Sequence, residues 1–385
     1  MNGAPAATVP APMVSNARRV IHPAILLAAA VLFACDQGVP SLPEEEVVEM
    51  PRQGTVVVYV EAPRRIAGPV LKTFEEQTGV EVNATYRENL GDQFLSTLKS
   101  QAERGAVDVF WGETPLSAYD IVEAGQAAPF RPAGARAVPG QYRDRKSRWV
   151  GFAVNPRVIV YNTNRIKREE APTQTTDLTS APWAGRGAMP RIAYGPAAFH
   201  ASALFTLWGP EKGRAFFEAL RAGGGTRIVE NDREVRRLVA EGGADWGLIG
   251  LDQAICAKRE AEPVNILFPD RLGSGAIVPP HVAILLRGAP HAAQAKGLFS
   301  YLFRTESGWV LGQNDCALVT LLPDVPRPDW VPALGGLNVA QVDPEAAWKV
   351  YRDNAPYFSS WGAEQGPTAA PSTQPRAALD PAPRP

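Results

Sequence analysis

Short continuous apolar runs alternate along this chain with stretches in which apolar residues recur every three or four positions. Residues 55–60, TVVVYV, predict a strand buried on both faces. Residues 66–78 predict an amphipathic helix with Val70, Leu71 and Phe74 on one face and Gly79 as its stop. A second strand follows at 80–86, a second helix at 92–104 carrying Phe94, Leu95 and Leu98, and a third strand at 107–111. Strand–helix–strand–helix–strand is a parallel α/β unit with right-handed crossovers. The third strand runs into Gly112-Glu113-Thr114-Pro115, so its carboxyl end delivers a glycine and a carboxylate into a turn. Ligands of open α/β sheets are met at that end.

The pattern continues with a helix at 116–125, an irregular basic stretch at 131–147, and two strands, 149–154 and 157–162, broken by Asn155-Pro156. A second α/β unit begins at 191–194. It is predicted to contain helices at 200–209, 210–222 and 232–241, strands at 226–229 and 246–249, and a helix at 254–260. Its last named strand ends at Gly250-Leu251-Asp252-Gln253 and again places a carboxylate at a strand's carboxyl end. The start of the helix at His200 presents free N–H groups and the positive end of a dipole. Residues 266–268 and 276–286 read as strands, the latter interrupted by Pro279-Pro280, and 290–303 as a helix, with another beginning near Glu306. A short extended piece at 318–322 precedes a remainder with Trp330, Trp348, Tyr351 and Trp361, expected as peripheral helices over the first unit. Two α/β units joined by more than one extended passage describe a two-lobed protein with a cleft.

Composition narrows the class. Apolar residues make up 45% and charged residues 21%, a globular balance. The 39 Lys and Arg against 40 Asp and Glu give no basic bias toward a nucleic acid. Arg18 and Arg19 precede the apolar run 23–34, too short to span a bilayer permanently, and Cys35 follows it. Residues 1–34 are therefore expected to be a signal peptide that takes the protein out of the cytoplasm. The motif Leu32-Phe33-Ala34-Cys35 resembles a bacterial lipoprotein signal, which implies acylation of Cys35 and a membrane-anchored location in the periplasm or at the cell surface. A plain secretory signal with a chance Cys is the other reading. Residues 35–53 read as a flexible tether and 363–385, rich in Pro and Ala, as a disordered tail. Cys256 and Cys316 sit among apolar residues and are expected as unpaired buried thiols. No CxxC, HExxH or His cluster points to zinc.

Residues 55–325 resemble the solute-binding proteins of ABC importers, in particular the ferric-iron-binding branch, with a type II periplasmic binding protein fold. The stretches that carry the resemblance are TVVVYVEAPRRIAGPVLKTFEEQTGVEVNATY, AVDVFWGE, VIVYNTNRI, AEGGADWGLIGLDQA and SGAIVPPHVAILLRGAPHAAQAKGLFSYLF. The resemblance implies an α/β protein of two lobes with parallel-core sheets, closing over a central cleft on two crossing hinge strands, here VIVYNT and AIVPPHVAIL. Lobe 1 would comprise 54–158 and 280–362, and lobe 2 would comprise 159–279. It implies a partner permease in the cytoplasmic membrane and a monomer that captures a small solute, either a ferric complex or a small organic ion. The branch's iron site uses a His after the first strand, a Glu after the DVF-type strand, two adjacent Tyr after the second-lobe strand, and an anion at a helix start. The Glu carries over as Glu113. The His position holds Pro63 or Arg64, the Tyr pair falls on Asp252-Gln253, the helix start on 197–200, and a preceding loop on Asn231-Asp232. The expected ligand-binding set is thus Arg64, Glu113, Thr114, Arg157, Ala198, His200, Asn231, Asp252 and Gln253. Glu113 and Asp252 are the candidate ligands for a bound metal ion, and no organic cofactor is implied. Losing both phenolates weakens a hard ferric site, and two carboxylates beside arginines suit a zwitterionic or amine-bearing solute.

Two further readings stand beside this one. Glu113 and Asp252 could divide acid and base roles in a carboxylate-pair hydrolase. Ser202, His200 and Asp232 are present, but no nucleophile turn surrounds them. A sensor lobe delivering its ligand to a membrane receptor would differ only in its partner.

Overall fold

The computed structural model describes residues 45–90, 93–222 and 225–363. The expected signal peptide, Cys35, most of the tether, the start of the helix at residue 92, and the tail beyond 363 lie outside the described residues. The first sheet is built from β1 (Thr55–Val60), β2 (Glu81–Tyr86), β3 (Val109–Gly112), β4 (Ala127–Ala128) and β5 (Val150–Val154). Between them come α1 (Arg64–Thr78), α2 (Arg87–Leu90), α3 (Phe94–Glu103) and α4 (Pro115–Glu123). The second sheet takes β6 (Arg157–Asn162), β7 (Gly187–Pro190), β8 (Arg227–Val229), β9 (Trp246–Gly250) and β10 (Val264–Leu267). Its helices are α5 (Gly195–Trp208), α6 (Pro210–Ala222), α7 (Asp232–Ala240) and α8 (Leu251–Arg259). The chain then returns with β11 (Pro280–Leu286), α9 (Ala292–Tyr301), α10 (Thr305–Gln313) and β12 (Val319–Thr320) to the first sheet, and ends in α11 (Pro344–Asp353) and α12 (Ala355–Ser360).

The sheet orders are β12-β5-β11-β3-β1-β2, with β4 also on β11, and β10-β6-β9-β7-β8. Strands β2, β1 and β3 are mutually parallel, as are β8, β7 and β9, so each lobe has the parallel core that its α/β alternation predicts. The strands around the crossings, β5, β11 and β6, are antiparallel to their neighbours. The two crossings between sheets hold each other, because Asn155 N–H donates to Pro279 O at 3.0 Å and Arg157 N–H to Ile277 O at 2.9 Å. Strand β6 pairs with β9 of the second sheet from Arg157 onward, and Asn155-Pro156 joins it to β5 of the first. The expected strand at 276–286 starts only at Pro280, since a proline has no N–H for a ladder and is tolerated at a strand's first position.

Two expectations need correction. Cys256 and Cys316 are joined in a disulfide, with Cα atoms 4.6 Å apart. Both lie in apolar surroundings, as expected, but the fold brings α8 against the segment after α10. The C-terminal helices do not simply cover the first unit. Trp348 stacks on Tyr119 of α4 and donates Nε1–H to Asp120 at 3.0 Å, while Phe358 and Trp361 pack on Phe205 and Phe217 of the second lobe. Their aromatic faces match partners from both lobes, which no local pattern could specify. Among the described residues, no helix is long and apolar enough to cross a membrane.

Candidate functional site

The carboxyl ends of strands from both sheets meet in a cleft of about 350 Å³. Its first wall grows out of β1 and α1. Helix α1 begins at Arg64, two residues earlier than the apolar face suggests, because Pro63 can precede a helix whose first N–H groups need no partner. That start places two adjacent arginines one helical step apart. Arg64 is exposed and lies over the Tyr86 ring at 4.5 Å, whereas Arg65 lines the cleft.

Glu61, at the end of β1, is 6% exposed. It accepts from Ser117 Oγ at 2.7 Å and from the Glu113 N–H at 3.1 Å, and pairs with Arg87 at 3.2 Å. Burial is the main force raising its carboxyl above the ordinary range, opposed by Arg87. The apolar pattern of the sequence does not single out Glu61. Its position at a strand's carboxyl end, like that of Glu113, was the available signal. Glu113 is half-buried and its carboxyl is pushed up to about 8, first by burial and then by the nearby charges of Glu61 and Asp252. Around neutral pH it is therefore largely protonated, able to donate as well as accept.

The second wall comes from the turns after β7, β8 and β9. Gly195 opens α5 with φ +62°, and a β-carbon there would stand 3.8 Å from Glu113 Oε2, so the two lobes approach closely at this point. Asn231 caps α7, accepting from the Glu234 N–H at 3.1 Å, and lines the cleft beside Asp232. Asp252 lies at the start of α8. Its Oδ1 accepts from Asn155 Nδ2 at 2.9 Å and its Oδ2 from Gln253 Nε2 at 3.0 Å, while Arg65 Nη2 stands 3.7 Å from Oδ2. Arg87 reaches across the cleft and lies over the Tyr194 ring at 4.5 Å. Beyond that stack a second chamber of about 340 Å³ is lined by Glu61, Thr114, Ser117, Asp120 and Tyr351, among others.

The structure thus gathers Glu113, Asn231, Asp252 and Gln253 in one cleft and adds Arg65, Arg87, Asn155, Arg191, Tyr194, Glu230 and Arg233. The other expected contacts stand elsewhere. Thr114 caps α4 and faces the second chamber. Arg157 is 1% exposed and clamps Asp232 with two contacts of 2.6 and 3.2 Å, so it positions a cleft carboxylate from behind. Ala198 and His200 are buried inside α5, below the helix start, where Ala197 lines the cleft instead. Burial pushes the His200 ring down to about 3, and it stays neutral. Ser202 donates to Ala198 O rather than to His200, and Asp232 is held by Arg157, so these residues make no relay. No three His, Cys, Asp or Glu side chains among the described residues converge as a metal cage.

The comparisons with known proteins agree with this geometry. Residues 116–323, more than half of the chain, match the model of the bacterial extracellular solute-binding protein family. The Fe(3+)-binding periplasmic protein of Serratia marcescens is 24% identical over 267 residues, 68% of this chain and 77% of the relative. Iron uptake protein A1 of a Synechocystis strain is 23% identical over 301 residues, 76% and 82% of the two chains. Among solved structures, the apo ferric ion-binding protein A of Pasteurella haemolytica superposes with a TM-score of 0.71 at 21% identity, covering 80% of this chain and 99% of its own. The periplasmic binding protein AfuA of Actinobacillus pleuropneumoniae, with fructose-6-phosphate bound, superposes with a TM-score of 0.70 at 17% identity, covering 80% and 98%. These neighbours have the two-lobed type II periplasmic binding protein fold, and the chain belongs to the bacterial extracellular solute-binding protein family.

Proposed function

We propose that this protein is the extracytoplasmic capture component of an ABC importer and that its cargo is a small organic solute bearing both charge signs. The observation that carries this reading is the charge arrangement of the cleft. Arg65 pairs with Asp252, Arg87 with Glu61 and Arg191 with Glu230, alternating positive and negative groups around a space for one small molecule. The two hydrogen-bonded crossings support a hinge there, and a solute that touches both walls favours the closed form by its differential affinity. The work is stoichiometric binding without turnover, by a monomer that hands its solute to a permease.

The names of the iron-binding relatives favour a second cargo, a ferric complex. Against it, Asp252 and Gln253 stand where that branch has its tyrosines, Asp252 is engaged by Asn155, Gln253 and Arg65, and the Tyr194 hydroxyl is bonded to Glu230. Neutral amides are poor partners for a hard cation. Small molecules and metals released from the purified protein, identified by mass spectrometry, decide between the two. An organic solute without iron is expected. A visible absorption band on adding ferric citrate, lost in Glu113→Gln, would overturn the organic reading.

The anchor belongs to the same reading. The signal pattern ending at Cys35 supports acylation there, with the body held off the membrane by the segment that follows. Cys35→Ala should move the protein from the membrane fraction to the soluble extract. Continued membrane fractionation of that variant would disprove the anchor.

A further inference from the structure

The end of α8 in the cleft contains an unfinished hydrogen-bond arrangement. Asp252 is fully engaged: its N–H donates to Asn155 Oδ1 at 3.1 Å, Asn155 Nδ2 returns to its Oδ1, and Gln253 Nε2 donates to its Oδ2. The carboxylate therefore fixes which way the Gln253 amide points, nitrogen inward and oxygen away. Gln253 is 3% exposed, lines the cleft, and its Oε1 has no donor in the protein. A buried carbonyl oxygen without a donor is costly, and a ligand that supplies one recovers that cost. On the other side of the same Asp252 Oδ2 stands the Arg65 guanidinium, whose Nε is buried and has no acceptor. Both residues reach Asp252 Oδ2, and each keeps a buried polar atom without a partner, an acceptor on Gln253 and a cationic donor on Arg65.

Resting on the solute-binding reading above, we infer that Arg65 and Gln253 form a subsite for a carboxylate carrying an amino or hydroxyl group on its α-carbon. The ligand's carboxylate answers the Arg65 Nε–H. Its α-substituent donates to Gln253 Oε1. Asp252 is then a positioning residue that presents both partners rather than a direct contact. The balanced charge of the cleft favours the amino acid, whose ammonium offsets its carboxylate, over the hydroxy acid. Arg65, Arg87 and Arg191 each have a carboxylate partner, Asp232 is neutralised by Arg157, and Arg233 and Glu88 add one charge of each sign. The raised Glu113 carboxyl, protonated around neutral pH, adds no further negative charge.

The test uses matched acids that differ only in the α-substituent. Disulfide-intact protein, freed of solute by unfolding and refolding, is titrated calorimetrically with the common α-amino acids and with lactate, malate and citrate. The controls are propionate, succinate and tricarballylate. At least one amino or hydroxy acid should bind, about tenfold or more tighter than the acid lacking its donor, the scale of one charge-assisted hydrogen bond. Which arm responds distinguishes the ammonium from the hydroxyl. Gln253→Leu should reduce that preference to near unity, with its thermal unfolding checked alongside; if that variant does not fold, the matched acids on the parent protein decide alone. The subsite is overturned if no probe binds, if matched acids bind equally, or if the preference survives in folded Gln253→Leu. A co-purifying solute of another class would overturn it while leaving solute capture intact. Absence of any solute and of any closure would overturn the solute-binding reading itself.

Discussion

At the scale of single residues, the cleft is governed by what burial does to two glutamates. Glu113 keeps its proton in the folded protein up to about pH 8, against an ordinary value of 4.5, mainly because its charged form loses solvation. From pH 4.5 upward the folded state therefore binds more protons than the unfolded chain, and stability falls with rising pH until about pH 8, where both have released them. Glu61, also raised, contributes in the same direction. Glu113→Gln removes one of these groups without changing its shape. The variant should lose less stability than the parent between pH 5 and 8, by an amount on the order of 1 kcal/mol once solvent screening of a half-buried group is allowed for. Urea unfolding at the two pH values measures this, and equal losses in both proteins would contradict it.

At the scale of elements, α8 carries the most. Its first turn supplies Asp252 and Gln253 to the cleft, and one turn later Cys256 joins it to Cys316, beside the strand that pairs with β5 at the crossing. Asn314, two residues before Cys316, donates Nδ2–H to the Arg65 carbonyl at 2.5 Å, so α8 and the start of α1 are held by one short segment. The disulfide closes a loop of 60 residues, for which loop-closure entropy gives a stabilisation of about 4 kcal/mol. Cys256→Ala with Cys316→Ala should lower the urea midpoint accordingly. It should also speed amide exchange in the first turn of α8 more than in α7, which lacks the tether. Uniform exchange changes in both helices would show that the bridge is not what registers α8.

At the scale of the molecule, the two lobes are connected at the crossings, by the disulfide near them, and by α11, whose leading segment pairs with the second crossing at Ala276. Trp348 holds α11 to Tyr119 and Asp120 of the first lobe, while Tyr351 Oη donates to Ala193 O of the second at 2.8 Å. An opening that separates α4 from the turn at Ala193 breaks one of these attachments. Trp348→Ala removes the first-lobe side and should shift the solute-free protein toward open forms. Small-angle scattering should then show a larger radius of gyration without solute, while solute restores the parent's value, since binding selects the closed form. An unchanged radius of gyration in the variant would remove α11 from the account of opening.

The sequence by itself determined the order and type of most main elements, placing β7 four residues late at 191–194, and the position of Glu113 and Asp252 at the carboxyl ends of β3 and β9. Both follow from local apolar periodicity and from turns that any parallel strand must make. What only the tertiary structure decided depends on partners far apart along the chain. Arg65 rather than Arg64 faces the cleft because the helix starts at Arg64, and one residue of rotation exchanges an exposed side for a lining one. Asp252 is engaged by Asn155, 97 residues away, while the neighbouring Gln253 keeps an unpartnered buried oxygen. Arg157 turns inward to Asp232, 75 residues away, and leaves the expected ligand set. Cys256 and Cys316 pair, and the C-terminal helices bridge the lobes, because folded surfaces meet there. Periodicity reaches only a turn or two along the chain, whereas each of these outcomes is set by the meeting of segments that periodicity never connects.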